Sequence, residues 1–289
     1  MRKSYLLLHI AVLFIGLSPV FAKIITINEG LLTWYRVFFS AVILFFVLKV
    51  FGVKSKISFK EQLEIAKVGI LLTLSWVFFY AGIKYSNISI GVVCYCVASF
   101  ITAIVEPLIT KRQFRLSEFL LSGLTIIGIA LIFHFDTSYQ LGIALGIISP
   151  FFYTLYSIYN KKLVTRYDSK LINYYQMVGG TIGLGVLLPV YLHFFPTDSI
   201  FPNIKDILYL VLLSLFCTVL VYLLLTEALK HISAFTANLT MNLEPIYAVI
   251  IAFCFFDESK EVNISFYIGL LLVILSVLLQ SFFKVNSEK

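Results

Sequence analysis

Charge is scarce in this chain. Only 13% of its 289 residues are Asp, Glu, Lys or Arg, against 60% that are hydrophobic, and mean hydropathy is +0.98. Polar segments between the apolar ones are short, so a sizeable soluble domain has no room to form. That excludes a nucleotide-binding domain, and with it ATP hydrolysis by this chain alone. Cysteine is limited to Cys94, Cys96, Cys217 and Cys254, all inside apolar stretches with no His or acidic neighbours at ligand spacing. They read as small buried hydrophobes rather than metal ligands. No metal motif, nucleophile elbow or phosphate loop is present, nor a channel filter or charged ring. No cofactor is expected. The net charge of +7 falls on no soluble basic stripe, so nucleic acid is not an expected partner.

What is there instead is a series of ten apolar stretches, near 5–27, 31–50, 65–84, 88–110, 119–135, 141–159, 171–195, 207–227, 234–256 and 264–283. Most have the length a helix needs to cross about 30 Å of hydrocarbon. Backbone groups in lipid must bond internally, so the stretches are helices. The predicted fold class is therefore an all-α polytopic membrane protein with ten transmembrane helices.

Basic residues orient it. With the N-terminus in the cytoplasm, seventeen of the 22 Lys and Arg fall on the inner face, from Arg2 and Lys3 through Lys60, Lys67, Lys111, Arg112, Lys162 and Lys230 to Lys289. Only Lys23, Lys84, Lys205 and Lys260 fall outside, and Arg36 is left within a helix. This is the positive-inside pattern. It predicts a multi-pass protein of the cell (inner) membrane with both termini cytoplasmic, in contact with the lipid bilayer. The first 23 residues imitate a secretory signal, with Arg2-Lys3, an apolar run and Val20-Phe21-Ala22. The expectation is retention, because the run is long and the repeat needs it. The triplets at Asn87, Asn238 and Asn263 resemble glycosylation sites and read as chance.

The chain divides into two five-helix units, 5–135 and 139–283, that match weakly but in order. Trp34-Tyr35-Arg36 aligns with Tyr174-Tyr175-Gln176. Ile83-Lys84-Tyr85 aligns with Leu229-Lys230-His231, Ile88-Ser89 with Ile232-Ser233, and Gly123 with Gly269. Five is odd, so the second unit inserts upside down. The loop Lys111-Arg112 occupies the position of Asp257-Glu258, with opposite charge as inversion requires. Inverted repeats of this kind belong to secondary transporters.

These features resemble the drug/metabolite transporter superfamily, specifically its EamA-type permeases, over nearly the whole chain. The carrying residues are Lys23 at the end of helix 1, Arg36 early in helix 2, Ala228-Leu229-Lys230, Glu244-Pro245 in helix 9 and Phe256-Asp257-Glu258 at its end. One departure is Lys111-Arg112, where the family usually has an acidic residue. The resemblance implies alternating access around a central cavity among helices 1, 3, 4, 6, 8 and 9.

Ionisable groups at membrane depth are the functional candidates. Glu244 lies about eight residues into helix 9, roughly 12 Å along its axis. Asn238 and Asn242 share a face beside it, and Pro245 is expected to free the carbonyl of Met241. Such a patch suits an amine or a cycling proton; the plainer reading is a kink stabilised by a protonated Glu. Arg36 either snorkels to Glu29 or binds a substrate carboxylate through its planar fork; its repeat mate Gln176 is neutral. His9 is either an interface residue or a proton relay. Glu106 reads as a local ion pair with Lys111 or as a gate contact, and Glu227 as a local ion pair with Lys230. Trp76 and Tyr80 share a face of helix 3. Tyr95, Ser99 and Thr102 share one in helix 4, and Tyr153, Tyr156 and Asn160 one in helix 6. With Tyr222 of helix 8 they are candidate pocket walls or packing residues. Gly179, Gly180, Gly183 and Gly185 read as helix-packing positions.

The leading expectation is a non-enzymatic secondary transporter of a small polar or amphiphilic metabolite, an amino acid or a relative, with protons as a coupling partner. A polytopic enzyme acting on a lipid-linked substrate is the alternative. It would need paired acids or His clusters, and the intramembrane acids here are scattered.

Overall fold

The computed structural model describes residues 2–53, 57–135, 139–197, 199–241, 243–260 and 262–287. Among these the chain is helical, without a strand. The first half contains α1 (Arg2–Ile15), α2 (Ser18–Ile24), α3 (Glu29–Val50), α4 (Phe59–Lys84), α5 (Ile88–Tyr95), α6 (Val97–Thr110) and α7 (Leu116–Phe135). The second contains α8 (Gln140–Leu163), α9 (Ser169–Phe194), α10 (Ile204–Ser214), a π-helical turn (Leu215–Leu220), α11 (Val221–Leu229), α12 (Ala234–Met241), α13 (Glu244–Phe256) and α14 (Ile264–Ser287). Among the described residues seven units are long and apolar enough to cross a membrane, with α1 and α2 counted together, α5 with α6, and α10 with the π turn and α11. Three shorter apolar helices lie at Leu116–Gly128, Glu244–Phe256 and Ile264–Ser276.

Polarity is arranged inside out relative to a water-soluble protein. Leu108, Val186 and Phe255 are largely exposed, whereas Thr33, Ser40, Ser75, Ser99, Thr102, Ser149 and Thr154 are buried. Several of these hydroxyls satisfy themselves by donating to the carbonyl one turn back, as Thr33 does to Glu29 (2.7 Å) and Thr102 to Ala98 (2.6 Å). Lipid outside and hydrogen-bonding side chains between helices are the physical expectation for a membrane bundle.

Helix ends follow the local sequence. Asn28, Asn87 and Asn203 each accept the backbone N–H three residues on, starting α3, α5 and α10. Ser58 and Glu61 close a reciprocal capping box on α4. Lys111 (φ 55°) and Asp257 (φ 56°) end α6 and α13 in the left-handed region, at positions that correspond between the halves.

The halves interleave in a pattern that exchanges onto itself. α3 packs on α9, α7 on α14, and α5 on α13; α4 packs on α8 while α11 packs on α1. The first two pairs each join a helix to its own repeat mate, and α5 on α13 exchanges with α6 on α12. The last two are counterparts of each other. α4 and α9 approach so closely that a Cβ on Gly69 would collide with the Gln176 backbone, and one on Gly179 with that of Ala66. α7 and α14 meet at Gly128, where a Cβ would lie 2.6 Å from the Gly269 carbonyl. Gly123, the sequence mate of Gly269, faces open space instead.

Candidate functional site

Three helices break at the same place. Between α1 and α2 the chain turns at Gly16 and Leu17, between α5 and α6 at Cys96, and between α12 and α13 just before Glu244. The π-helical turn between α10 and α11 is a fourth irregularity. Such interruptions at membrane depth are tolerated where they line a site, because they release backbone groups and helix ends. Here the residues beside them, Ile15, Ser18, Tyr95 and Glu244, join Arg36, Trp76 and Phe79 around one narrow cavity. Its volume of about 10 Å³ accommodates roughly one water.

Arg36 is 1% exposed. Its Nε donates to Thr218 Oγ1 (2.7 Å), its Nη2 to the Cys217 carbonyl (3.0 Å), and its Nη1 to Ser18 Oγ (3.3 Å) and the Tyr80 hydroxyl. The guanidinium carbon stands 3.7 Å from the centroid of the Trp76 ring, a cation–π arrangement. Two hydroxyls, those of Ser40 (2.7 Å) and Ser214 (3.0 Å), donate to the Arg36 carbonyl and fix its backbone. Of the two readings for Arg36, the outward reach to Glu29 does not occur, and Glu29 accepts instead from the Tyr191 hydroxyl at 2.6 Å. The pull inward has a clear cause: four acceptors and an aromatic face converge where the π turn displaces Cys217 and Thr218.

Glu244 is 3% exposed and is the first residue of α13, at that helix's partially positive end. Helix 9 is thus two helices rather than one kinked one, with Pro245 in its favoured place at the start of the second. Among the described residues no hydrogen bond or direct ion pair reaches the Glu244 carboxyl, although Arg36 faces the same cavity and acts on it electrostatically. The Asn238 side chain and Asn242 lie outside the described residues.

Trp76 and Tyr95 line the cavity. Tyr80 and Tyr222 lie one bond behind it: Tyr80 on Arg36 and Ser18 (2.9 Å), and Tyr222 accepting from Trp76 Nε1 at 3.2 Å. Tyr153 packs its ring 5.1 Å from that of Tyr95, and Ser99 donates to the Cys96 carbonyl (3.1 Å) at the break. Gln176 is elsewhere. It donates to Asn160 (2.9 Å), which donates to Tyr156 (3.2 Å), beside Asn173 bonded to Thr226 and to the Tyr222 carbonyl. Tyr222 therefore touches both polar clusters, one around each repeat mate. His9 is exposed on α1, away from the cavity. Glu106 pairs with Arg112 (3.3 Å) rather than Lys111, and Glu227 pairs with Lys230 (2.6 Å) as expected.

Ser18, Thr218, the Cys217 carbonyl and Glu258 escaped the sequence reading as site residues. Glu258 is fully buried at the bundle end opposite the basic loops. It accepts from the backbone N–H groups of Ile88 (3.1 Å) and Ser89 (3.0 Å) and from Ser89 Oγ (2.8 Å), and pairs with Lys23 at 3.0 Å. A second-half loop thereby caps a first-half helix. At the same end Asp206 accepts from Thr26 N (3.1 Å) and Oγ1 (2.6 Å), so the halves are laced together there.

The EamA-like transporter family model matches residues 2–134 and again 140–282. An uncharacterized transporter of Clostridium kluyveri is 23% identical over 293 residues, covering 95% of this chain and 92% of that one. The uncharacterized transporter YdfC of Bacillus subtilis is 25% identical, covering 80% and 76%. A solved crystal structure superposes over the full length of both chains with a TM-score of 0.69 at 12% identity, a likeness of fold alone.

Proposed function

This chain belongs to the EamA-like transporter family of the drug/metabolite transporter superfamily, and on that premise we propose that it is a secondary active transporter of a small zwitterionic metabolite, an amino acid or a related amphiphile. The observation that carries the reading is the buried Arg36 and Glu244 facing one cavity where three helices break. A guanidinium fork suits a carboxylate, and a carboxylate suits an ammonium. A zwitterion satisfies both and replaces the attraction the two side chains exert on each other. Loss of the Glu244 charge on protonation also removes that attraction, which ties proton uptake to the electrostatic link between α13 and α3 across the cavity.

The proposed architecture is ten crossings in two inverted five-helix units, 5–135 and 139–283, with both termini cytoplasmic in the cell membrane. It is supported by the seventeen-to-four distribution of basic residues, the matched left-handed helix ends at Lys111 and Asp257, and the self-exchanging helix pairs. Alternating access is supported by the irregular helices at the cavity and by the lacing of one end through Glu258 and Asp206. Against the lipid-linked enzyme reading, Glu244 is the one carboxyl lining the cavity among the described residues.

The test is uptake by purified protein in proteoliposomes, screened against amino acids, nucleosides and sugars. Amino acids are expected to enter, and analogues lacking either the carboxylate or the ammonium to compete poorly. Transport of an uncharged sugar or nucleoside with no amino acid uptake overturns the proposal.

A further inference from the structure

A groove of about 480 Å³ opens on the bundle surface between α4 and α8, at the end that carries the basic loops. It shares no lining residue with the Arg36 cavity, which lies farther along α4 at Trp76 and Phe79. Lys60 and Lys67 stand seven residues apart on α4, about 10 Å along the axis, so both lie on one face. Lys162 approaches from the end of α8, stacked 5.4 Å from the Tyr159 ring. All three lysines are exposed. Among the described residues the lining holds one acid, Glu64, which pairs with Arg166 at 3.6 Å, so three lysines share the groove with a single carboxylate. Between and beyond them the walls are apolar: Leu63, Val68, Leu71 and Leu163.

We propose that this groove binds an anionic phospholipid, with the phosphate among Lys60, Lys67 and Lys162 and an acyl chain along Leu63 and Leu71. The two halves of the site select against the simpler occupants. A soluble phosphate has no use for an apolar wall, and a zwitterionic lipid gains less than an anionic one where three lysines face one carboxylate. Basic pockets between helices at the membrane surface take anionic headgroups by this chemistry, and the volume falls in the range of about 300–1,000 Å³ typical of ligand sites. The groove wall comes from α4 of one half and α8 of the other, so the lipid spans the seam between them. Assignment to the cytoplasmic leaflet rests on the orientation proposed above; binding itself does not.

The test uses the full chain purified in neutral detergent. Native mass spectrometry counts retained phosphatidylglycerol against phosphatidylcholine, and thermal unfolding is followed with each lipid and with glycerol 3-phosphate. Wild type is expected to retain phosphatidylglycerol preferentially, to be stabilised by it, and to ignore glycerol 3-phosphate. Lys60→Gln/Lys67→Gln/Lys162→Gln is expected to weaken retention by about fivefold per lysine, on the order of 100-fold in all. A control with Lys49, Lys205 and Lys260 changed to Gln keeps it. Equal retention of the two lipids by wild type overturns the proposal without needing any variant. So does undiminished binding by the groove variant, or equal stabilisation by glycerol 3-phosphate, which would make this a free-phosphate site. Leaflet placement is read separately, by labelling a cysteine at position 60 from either side of the vesicle; an outside label corrects the orientation and leaves the lipid site standing.

Discussion

Arg36 is the residue on which the most contacts depend. Its bonds reach α2, α4 and the π turn, and its planar fork is what allows them simultaneously. Arg36→Gln is expected to raise the apparent transport constant about 10–100-fold, consistent with losing one or two charge-assisted hydrogen bonds. Arg36→Lys should recover only part of this, because an ammonium cannot stack on Trp76 and reach Thr218 and Cys217 together. Thr218→Val removes a single acceptor and is expected to cost only about fivefold. Concentration-dependent uptake by the three variants checks the order; a Lys variant indistinguishable from wild type would show that only the charge matters. The candidates at this scale were partly legible. Arg36 and Glu244 stood out because charge in an apolar run is costly. Where Arg36 would turn was not legible, since its partners Ser18, Thr218 and the Cys217 carbonyl are ordinary residues brought together only by packing.

Helices carry the next level of the argument. Ten apolar stretches were readable from length and hydropathy, and the break in helix 9 was signalled by Pro245. The break at Cys96 and the π turn at Leu215–Leu220 were not, because neither contains a proline or glycine to mark it. Register between helices was equally hidden: Gly128, not Gly123, meets Gly269. Gly179→Leu is expected to drive α9 off α4 and to destabilise the protein by about 1–3 kcal/mol, as overpacking does, seen as a lower midpoint of thermal unfolding in detergent. An unchanged midpoint would mean that the two helices do not pack as closely as described. Glu258 acts between elements, holding the start of α5 from a loop after α13. Glu258→Gln weakens bonds to two N–H groups, one hydroxyl and Lys23, and so should loosen that end. In a background lacking the four native cysteines, a cysteine replacing Ile88 is expected to react about threefold or more faster with a membrane-impermeant thiol reagent once Glu258 is neutral. Equal rates would remove Glu258 from the closure.

For the whole molecule, the proposed alternating access draws on the pseudo-symmetry of the halves to bring two access states close in energy, and on the asymmetry between Arg36 and Gln176 to give the halves different chemistry. The proposed topology rests on the charge distribution: a reporter active only outside the cell should be silent when fused after Lys289 and active when fused after Asp136, and the opposite result would invert the bundle. The central claim is that Glu244 couples substrate movement to protons through its contact with the Arg36 cavity. Its most direct test is accumulation of a transported amino acid in proteoliposomes under an imposed pH gradient, measured beside exchange at equal pH. Wild type should do both. Glu244→Gln, which holds the uncharged form permanently, should exchange substrate yet fail to accumulate it. Accumulation by Glu244→Gln equal to that of wild type would contradict the coupling role outright.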